Sequence, residues 1–149
     1  LHQTMPYVFV EEKYPGVPKI DLHVAAPYET FLIGDIPVTP FYVMHRCLPI
    51  YGYRMGRFAY ITDMKTISDK DRLCLNGVDT LVVNALRFDD DHLAHMLVEE
   101  AVEFSESIGA RRTYFVHVAH EIGLHEEACS RLPDGFSLAY DGMQVDVEI

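Results

Sequence analysis

The pattern of apolar and polar positions changes at Asp63. Before it, short runs rich in β-branched and aromatic residues are separated by glycine and proline, which is typical of successive strands. We therefore predict strands in three segments of this region: KIDLHVAA (19–26), TFLIGDIPVTPFYVMH (30–45) and YGYRMGRFAYITD (51–63).

Helical and extended patterns alternate after Asp63. TISDKDRLCL (66–75) predicts a short helix capped at Ser68, and DHLAHMLVEEAVEFSESIG (91–109) predicts an amphipathic helix that ends at Gly109, with the acidic run 89–91 as its solvated cap. The remaining predictions are two strands, a short helix and a final hairpin: TLVVNAL (80–86), RTYFVHV (112–118), HEIGLHEEACSRL (120–132) and FSLAYDGMQVDVEI (136–149). A meander followed by alternating strands and helices predicts an α/β fold with one helix-covered face.

Composition limits the possible partners. The chain has 149 residues, is 49% hydrophobic and carries a net charge of -11, so we expect one domain with a real core and no broad nucleic-acid surface. No apolar run approaches the length of a membrane span. The three cysteines, Cys47, Cys74 and Cys129, are far apart and form no CxxC pair, which favours free thiols in a cytoplasmic protein over a disulfide framework or a cysteine zinc site.

Three residues with metal-binding side chains stand at predicted strand ends. They are His45, Asp63 and His117. Strand ends in α/β folds converge on one rim, where ligand sites usually form. Imidazole and carboxylate groups suit Zn²⁺, Mn²⁺ or Fe, and a carboxylate can bridge two ions. The alternative is that each residue is an ordinary polar residue at a strand terminus.

Other candidates also have two interpretations. His95 could be functional, or it could form a solvated charge pair with Asp91 and Glu99 on the predicted helix. His120 could orient His117 from a second shell or simply start a helix. Lys65 could meet a substrate phosphate or pair with Asp63, and we favour the pair.

Two further histidines, His92 and His125, are predicted to be surface residues. Tyr51, Tyr53 and Phe58 are predicted to be core or strand-face residues rather than a base-stacking platform.

Three segments carry a family resemblance. VMHRCLPIYGYRMGRFAYITDMKTI, LVVNALRF with HLAHMLVEEAVEF, and YFVHVAHEIGLHEEACSRLPDGFSLAYDGMQVDV resemble the C-terminal part of metallo-β-lactamase-fold hydrolases. Within that superfamily the chain is similar to the phosphoribosyl cyclic phosphodiesterases of the carbon–phosphorus lyase pathway. The resemblance implies an α/β metallo-β-lactamase fold with four layers (αββα), of which this chain supplies the C-terminal portion, a mixed sheet with covering helices.

The resemblance also implies roles for individual residues. His45 would complete the histidine set of one metal ion, Asp63 would bridge two ions, and His117 would bind the other ion. His95 matches a histidine that lies near the substrate phosphate. The implied cofactors are two divalent ions, Zn or Mn.

One motif of that family does not occur in the chain. The family's metal site begins with HxHxDH, whereas DLHVAAPYE around His23 has one histidine and the wrong spacing. We therefore expect residues 1–149 to be the C-terminal part of a single domain whose N-terminal part carries that motif. The expected site in this chain alone is incomplete: empty, partly occupied or completed by a neighbouring molecule, and inactive.

The function implied for the intact protein is metal-dependent hydrolysis of a small phosphodiester by a metal-activated water, with Asp63 and His95 as catalytic residues. One alternative is a hydrolase of another ester or thioester. The other is a non-catalytic binding or assembly module. A transfer-RNA substrate is disfavoured because the chain has no basic arm. No membrane partner is expected, and a homodimer is left open.

Overall fold

The computed structural model describes residues 1–12 and 14–149. In this part of the chain, seven strands form one sheet in sequence order. They are β1 (Phe31–Ile33), β2 (Ile36–His45), β3 (Leu48–Met55), β4 (Phe58–Ile61), β5 (Thr80–Asn84), β6 (Arg112–Val116) and β7 (Phe136–Leu138). The pairs from β1 to β4 are antiparallel and those from β4 to β7 are parallel.

Three α-helices connect the parallel strands. They are α1 (Asp69–Arg72), α2 (Val98–Ile108) and α3 (His125–Ser130), and short 3-10 turns lie at Pro6–Val8, Leu73–Leu75 and His120–Ile122. No helix in the described part of the chain is both long and apolar enough to cross a membrane.

The core lies on the sheet face that packs against α2. Alternate residues of β4 and β5, such as Ile61 and Leu81, are fully buried on this face, and α2 adds Phe104. In β3, Gly52 lies opposite Phe41 of β2. A Cβ atom at Gly52 would stand 2.7 Å from the Phe41 ring, so this glycine lets the largest core side chain fit.

The other sheet face carries a row of aromatic residues. The strand registers align Tyr53, Tyr60, Val82, Tyr114 and Ser137 across five neighbouring strands. Tyr60 is 40% exposed, and the others are partly exposed. Part of the apolar surface of this row is therefore exposed, and a further layer of secondary structure could pack against it.

Most of the predicted elements are confirmed. Ser68 caps α1 by accepting a hydrogen bond from the Asp71 amide. Gly109 ends α2 in the left-handed conformation, with φ 74°. The predicted segments 30–45 and 51–63 contain β1 to β4, although β3 begins earlier than predicted, at Leu48.

Two strand predictions were wrong. Residues 19–26 form no strand. The final hairpin is also absent from the described residues, because β7 pairs in parallel with β6 instead of with the terminal segment. That segment returns to the β3–β4 turn, where the Glu148 carbonyl accepts a hydrogen bond from the Arg57 amide. An alternating apolar and polar pattern predicts a strand, but it does not specify which neighbouring strand the segment pairs with.

The long helix begins later than predicted, at Val98. The acidic run 89–91 is therefore not its cap, and His95 lies in an irregular segment before the helix. The Glu100 carboxylate accepts the Leu97 amide at 2.8 Å and starts the helix there. Met96 is held by two backbone bonds instead, donating to Met64 O and accepting from Leu86 N. These tertiary bonds override the helical pattern of residues 91–97.

Candidate metal centre

Three strand ends place the candidate side chains at one rim of the sheet. His45 is the last residue of β2, Asp63 follows β4 by two residues, and His117 directly follows β6. Asp63 and His117 adopt the left-handed backbone conformation, with φ 59° and 56°. Asp and His are among the non-glycine residues that enter this region most readily. Each turns the chain sharply as it leaves its strand.

Asp63 is the centre of the cluster. Its Oδ1 atom lies 3.0 Å from His117 Nε2 and 3.2 Å from His95 Nε2. The metal-binding atoms of Asp63, His95 and His117 all lie within 4.8 Å of one another. The structure thus brings Asp63 and His117 together as predicted and adds His95 to them.

His45 lies at the edge of this cluster. Its ring centroid is 4.7 Å from that of His95, and its Nδ1 atom is 3.0 Å from the backbone oxygen of Asp63. Because a carbonyl oxygen only accepts, Nδ1 must carry a proton and Nε2 of the neutral ring is left as an acceptor. Histidines that bind metal usually donate their other N–H to a carbonyl or carboxylate in this way.

The His95 ring is the most buried of the cluster, with 14% of its side chain exposed. Burial lowers the pKa of His95, the hydrogen bond to Asp63 raises it, and the nearby imidazoles of His117, His45 and His92 lower it further. The net direction is downward, which favours the neutral ring near neutral pH.

His92 is a site residue that the sequence did not indicate. The prediction of a surface residue was wrong, because the side chain is partly buried and stacks on His95 with ring centroids 4.8 Å apart. The only signal in the sequence was the spacing of two histidines by three residues. His125, by contrast, is exposed as predicted.

Lys65 and His120, the two predicted supporting residues, contact groups outside the cluster. Lys65 Nζ lies 2.8 Å from Glu100 Oε1 and 3.1 Å from Asp91 Oδ1, so the favoured pair with Asp63 was wrong. Burial lowers the pKa of Lys65, but hydrogen bonds to Glu100 and Asp91 outweigh it and leave the pKa raised. His120 starts the 3-10 turn and directs Nδ1 toward Glu121 Oε2 at 3.3 Å, with 92% of its side chain exposed. These contacts correspond to the helix-start alternative for His120.

Asn84, which the sequence did not single out, fixes the residue after Asp63. It is fully buried. Its Oδ1 accepts the Met64 amide at 2.7 Å and its Nδ2 donates to the Met64 carbonyl at 2.9 Å. A buried asparagine that bonds both the amide and the carbonyl of one residue holds the backbone at the site. A polar residue at the end of the apolar run TLVV was its only signal in the sequence.

We expect Asn84→Ala to lower the free energy of unfolding by about 1–3 kcal/mol, because it leaves the buried Met64 amide without a partner, while the Met64 carbonyl keeps only its bond from the Met96 amide. Urea denaturation, monitored by circular dichroism, measures this change in the free energy of unfolding. Asn76→Ala is the matched control, since Asn76 is exposed and its replacement should cost less than about 0.5 kcal/mol. Equal effects of the two substitutions would contradict this role of Asn84.

The donor set fits a divalent metal ion. Two imidazole nitrogens and one carboxylate oxygen, from His95, His117 and Asp63, lie close together. His45 lies outside this close group, but its ring is beside that of His95 and its Nε2 is left as an acceptor. Such mixed nitrogen and oxygen ligands suit Zn²⁺ or Mn²⁺.

Comparison with known proteins gives a family and several related structures. A family described as "Beta-lactamase superfamily domain" matches residues 1–118. An octanoyltransferase from Porphyromonas gingivalis (strain ATCC BAA-308 / W83) is 33% identical over 148 residues, which are 99% of this chain and 30% of that protein. The chain thus spans less than a third of the length of this curated relative.

Three solved structures are similar. A diphosphatase from the PhnP family is 35% identical with a TM-score of 0.77, and the match covers 83% of this chain and 48% of that one. The metallo-beta-lactamase fold protein YhfI from Bacillus subtilis is 19% identical, with a TM-score of 0.61 and coverage of 79% and 52%. The short form of human tRNase Z is 20% identical, with a TM-score of 0.61 and coverage of 80% and 45%. These matches confirm the predicted fold class.

Proposed function

The chain belongs to the family of beta-lactamase superfamily domains, and from this premise we propose that it is part of a metal-dependent phosphodiesterase. The superfamily and the diphosphatase neighbour support a hydrolase. The observation that carries the proposal is the position of Asp63, whose Oδ1 atom lies between His117 Nε2 and His95 Nε2 at the open rim of the sheet.

In this proposal His45, Asp63 and His117 would hold two divalent ions, and Asp63 would serve both. The bound ions supply Lewis acidity, which activates water and offsets negative charge at phosphorus. Asp63 contributes the anion that allows two cations to lie close together, and the left-handed backbone fixes the direction of its side chain. His45 enters the site already oriented by the Asp63 carbonyl.

His95 acts on the substrate. Hydrolysis of a phosphodiester forms one bond from phosphorus to water oxygen and breaks one bond from phosphorus to an alkoxide, which must receive a proton. His95 Nε2 faces the centre of the cluster; when this nitrogen carries a proton, it can give that proton to the alkoxide or donate a hydrogen bond to the phosphate oxygens.

We further propose that residues 1–149 are the C-terminal part of one four-layer domain, whose other part carries HxHxDH. Two observations support this. The match to the diphosphatase covers 48% of that chain, and the aromatic row of Tyr53, Tyr60 and Tyr114 leaves a sheet face partly exposed. The second sheet of the four-layer fold would cover this face. In this proposal the full-length protein consists of this chain together with that part.

A thioester hydrolase is the second candidate. The octanoyltransferase from Porphyromonas gingivalis matches almost the whole of this chain, and its name refers to an acyl group. Since 70% of that protein lies outside the match, its name supports this candidate only weakly.

The test is a comparison of substrates with the full-length protein. Hydrolysis of bis(4-nitrophenyl) phosphate and of an octanoyl thioester is measured with added Zn²⁺ or Mn²⁺ and after chelation. We expect the phosphodiester to be cleaved, and chelation to abolish its cleavage. Preferential cleavage of the thioester would replace the phosphodiesterase proposal with the second candidate. Metal binding without hydrolysis of either substrate would favour a binding module.

A further inference from the structure

We propose that Lys65 is a positioning residue that holds the His95 segment (residues 91–97) against the turn that carries Asp63. Its ammonium group binds one acid at the start of this segment and one acid in the helix that follows it. The consequence for catalysis rests on the role proposed above for His95, whereas the attachment of the segment depends only on contacts within this chain.

The Lys65 ammonium group contacts two acids on either side of the segment. Its Nζ atom lies 2.8 Å and 2.9 Å from the two carboxylate oxygens of Glu100, in the first turn of α2. The same atom lies 3.1 Å from Asp91 Oδ1. Only 17% of the Lys65 side chain is exposed, so water competes with these bonds less than it does at a fully exposed ion pair. One side chain therefore closes the segment into a loop.

The two acids also hold the backbone of the segment. Glu100 Oε2 accepts the Leu97 amide at 2.8 Å, and Asp91 Oδ1 accepts the His92 amide at 2.7 Å. Each acid thus connects the ammonium charge to a peptide group near one end of the segment. Without the cation, the two acids would keep these local bonds but would lose the group that holds them together.

The backbone of Lys65 fixes the other side of this contact. Lys65 lies two residues after Asp63, and its amide donates to the Met44 carbonyl at 2.8 Å. Met44 immediately precedes His45. Lys65 is therefore tied through its backbone to both strand ends, and it reaches with its side chain to the His95 segment.

The part of the segment before Met96 depends most on Lys65. Met96 itself is fixed separately by two backbone bonds. Before it, in the part of the chain that the structure describes, two hydrogen bonds join the segment to the rest of the molecule: Lys65 to Asp91, and His95 to Asp63. Removal of the Lys65 side chain would leave the second bond alone, so the His95 ring would be held less firmly at the site.

Hydrogen exchange of the full-length protein, followed by mass spectrometry, tests the attachment. We expect Lys65→Met to speed exchange in a peptide from residues 91–97 roughly 10-fold, the effect of losing one bond to a charged group. A peptide from residues 102–108 of α2 should be unchanged. Lys19→Met is the matched control, since Lys19 forms only an exposed pair with Asp21. Unchanged exchange at 91–97, or equal acceleration of the two peptides, would overturn the proposal.

A combined variant tests whether Lys65 acts through the two acids. Asp91→Asn with Glu100→Gln removes both charges and keeps oxygens for the backbone bonds. The two side chains are 76% and 42% exposed, so their replacement leaves no buried group without a partner. We expect this variant to exchange faster at 91–97, and Lys65→Met to add little to it, because residues in contact do not act additively. A further roughly 10-fold acceleration by Lys65→Met would overturn the role of the acids.

Kinetics of the full-length protein test the consequence for catalysis. We expect Lys65→Met to keep its metal content and KM but to lower kcat roughly 10–100-fold, the scale of residues that orient a site group. Loss of metal together with kcat, or a wild-type kcat despite faster exchange, would overturn the positioning of His95. If exchange changes as expected but the wild-type protein cleaves no phosphodiester, the proposed function fails and the attachment of the segment by Lys65 stands.

Discussion

We expect Asp63→Ala to remove bound metal and to abolish hydrolysis by the full-length protein. The Asp63 carboxylate lies within 3.0 Å of His117 Nε2 and 3.2 Å of His95 Nε2, so one truncation withdraws the only anion of this three-residue group. The rate should fall by more than roughly 10²-fold, which is beyond the usual effect of a supporting residue. Elemental analysis and hydrolysis of bis(4-nitrophenyl) phosphate measure the two losses in the same samples.

The charge and the size of Asp63 are tested separately. Asp63→Asn keeps the size but cannot supply the negative charge that holds two cations together, so it should also lose metal. Asp134→Ala is the matched control, since Asp134 is an exposed acid in a loop, and it should keep both metal and rate. Normal metal content in Asp63→Ala would refute the bridging role.

His95→Ala should have a different effect in the same protein. We expect metal content to stay near normal while kcat falls by roughly 10²–10⁴-fold, the scale of general acid–base assistance. The reason is that His95 is proposed to act on the substrate rather than to hold an ion. The same two assays measure it, with His125→Ala as the control for removal of a histidine.

The position of His95 also allows it to bind a metal ion directly. His95 Nε2 belongs to the group of donor atoms that lie within 4.8 Å of one another, so it is close enough to act as a ligand. If His95→Ala lost metal in parallel with Asp63→Ala, His95 would be a ligand and the division of roles would be wrong. If both variants kept the wild-type rate, the binding-module alternative would replace the enzyme.

Parts of the site that depend on local sequence patterns could be predicted, and parts that depend on contacts between distant residues could not. The strand ends at His45 and His117 follow from local apolar runs, and the cap at Ser68 follows from local hydrogen-bond chemistry. The place of His92 depends on residues 91–97 being irregular, which in turn depends on backbone bonds from Met96 to Met64 and Leu86. Contacts between distant parts of the chain leave no periodic trace in the sequence.

The role of Asn84 also could not be predicted, because its hydrogen-bond partner is distant in the sequence. A polar residue in an apolar run signals that its side chain has a partner, but it does not say which. Here the partner is the backbone of Met64, reached across the sheet. The terminal segment was mispredicted for a related reason, since alternation at 136–149 is compatible with a hairpin and with the parallel edge strand that forms.

The left-handed backbone at Asp63 and His117 affects which substitutions these two positions can accept. Glycine is the residue that this conformation suits best, and most side chains with a Cβ are disfavoured there by about 1–2 kcal/mol, with Asp and His among the better tolerated. Backbone conformation alone would therefore favour glycine at the two positions that the proposed function assigns to metal ligands. If the proposed function holds, a descendant that no longer needed the site could replace both residues with glycine without loss of stability, whereas an active enzyme could not.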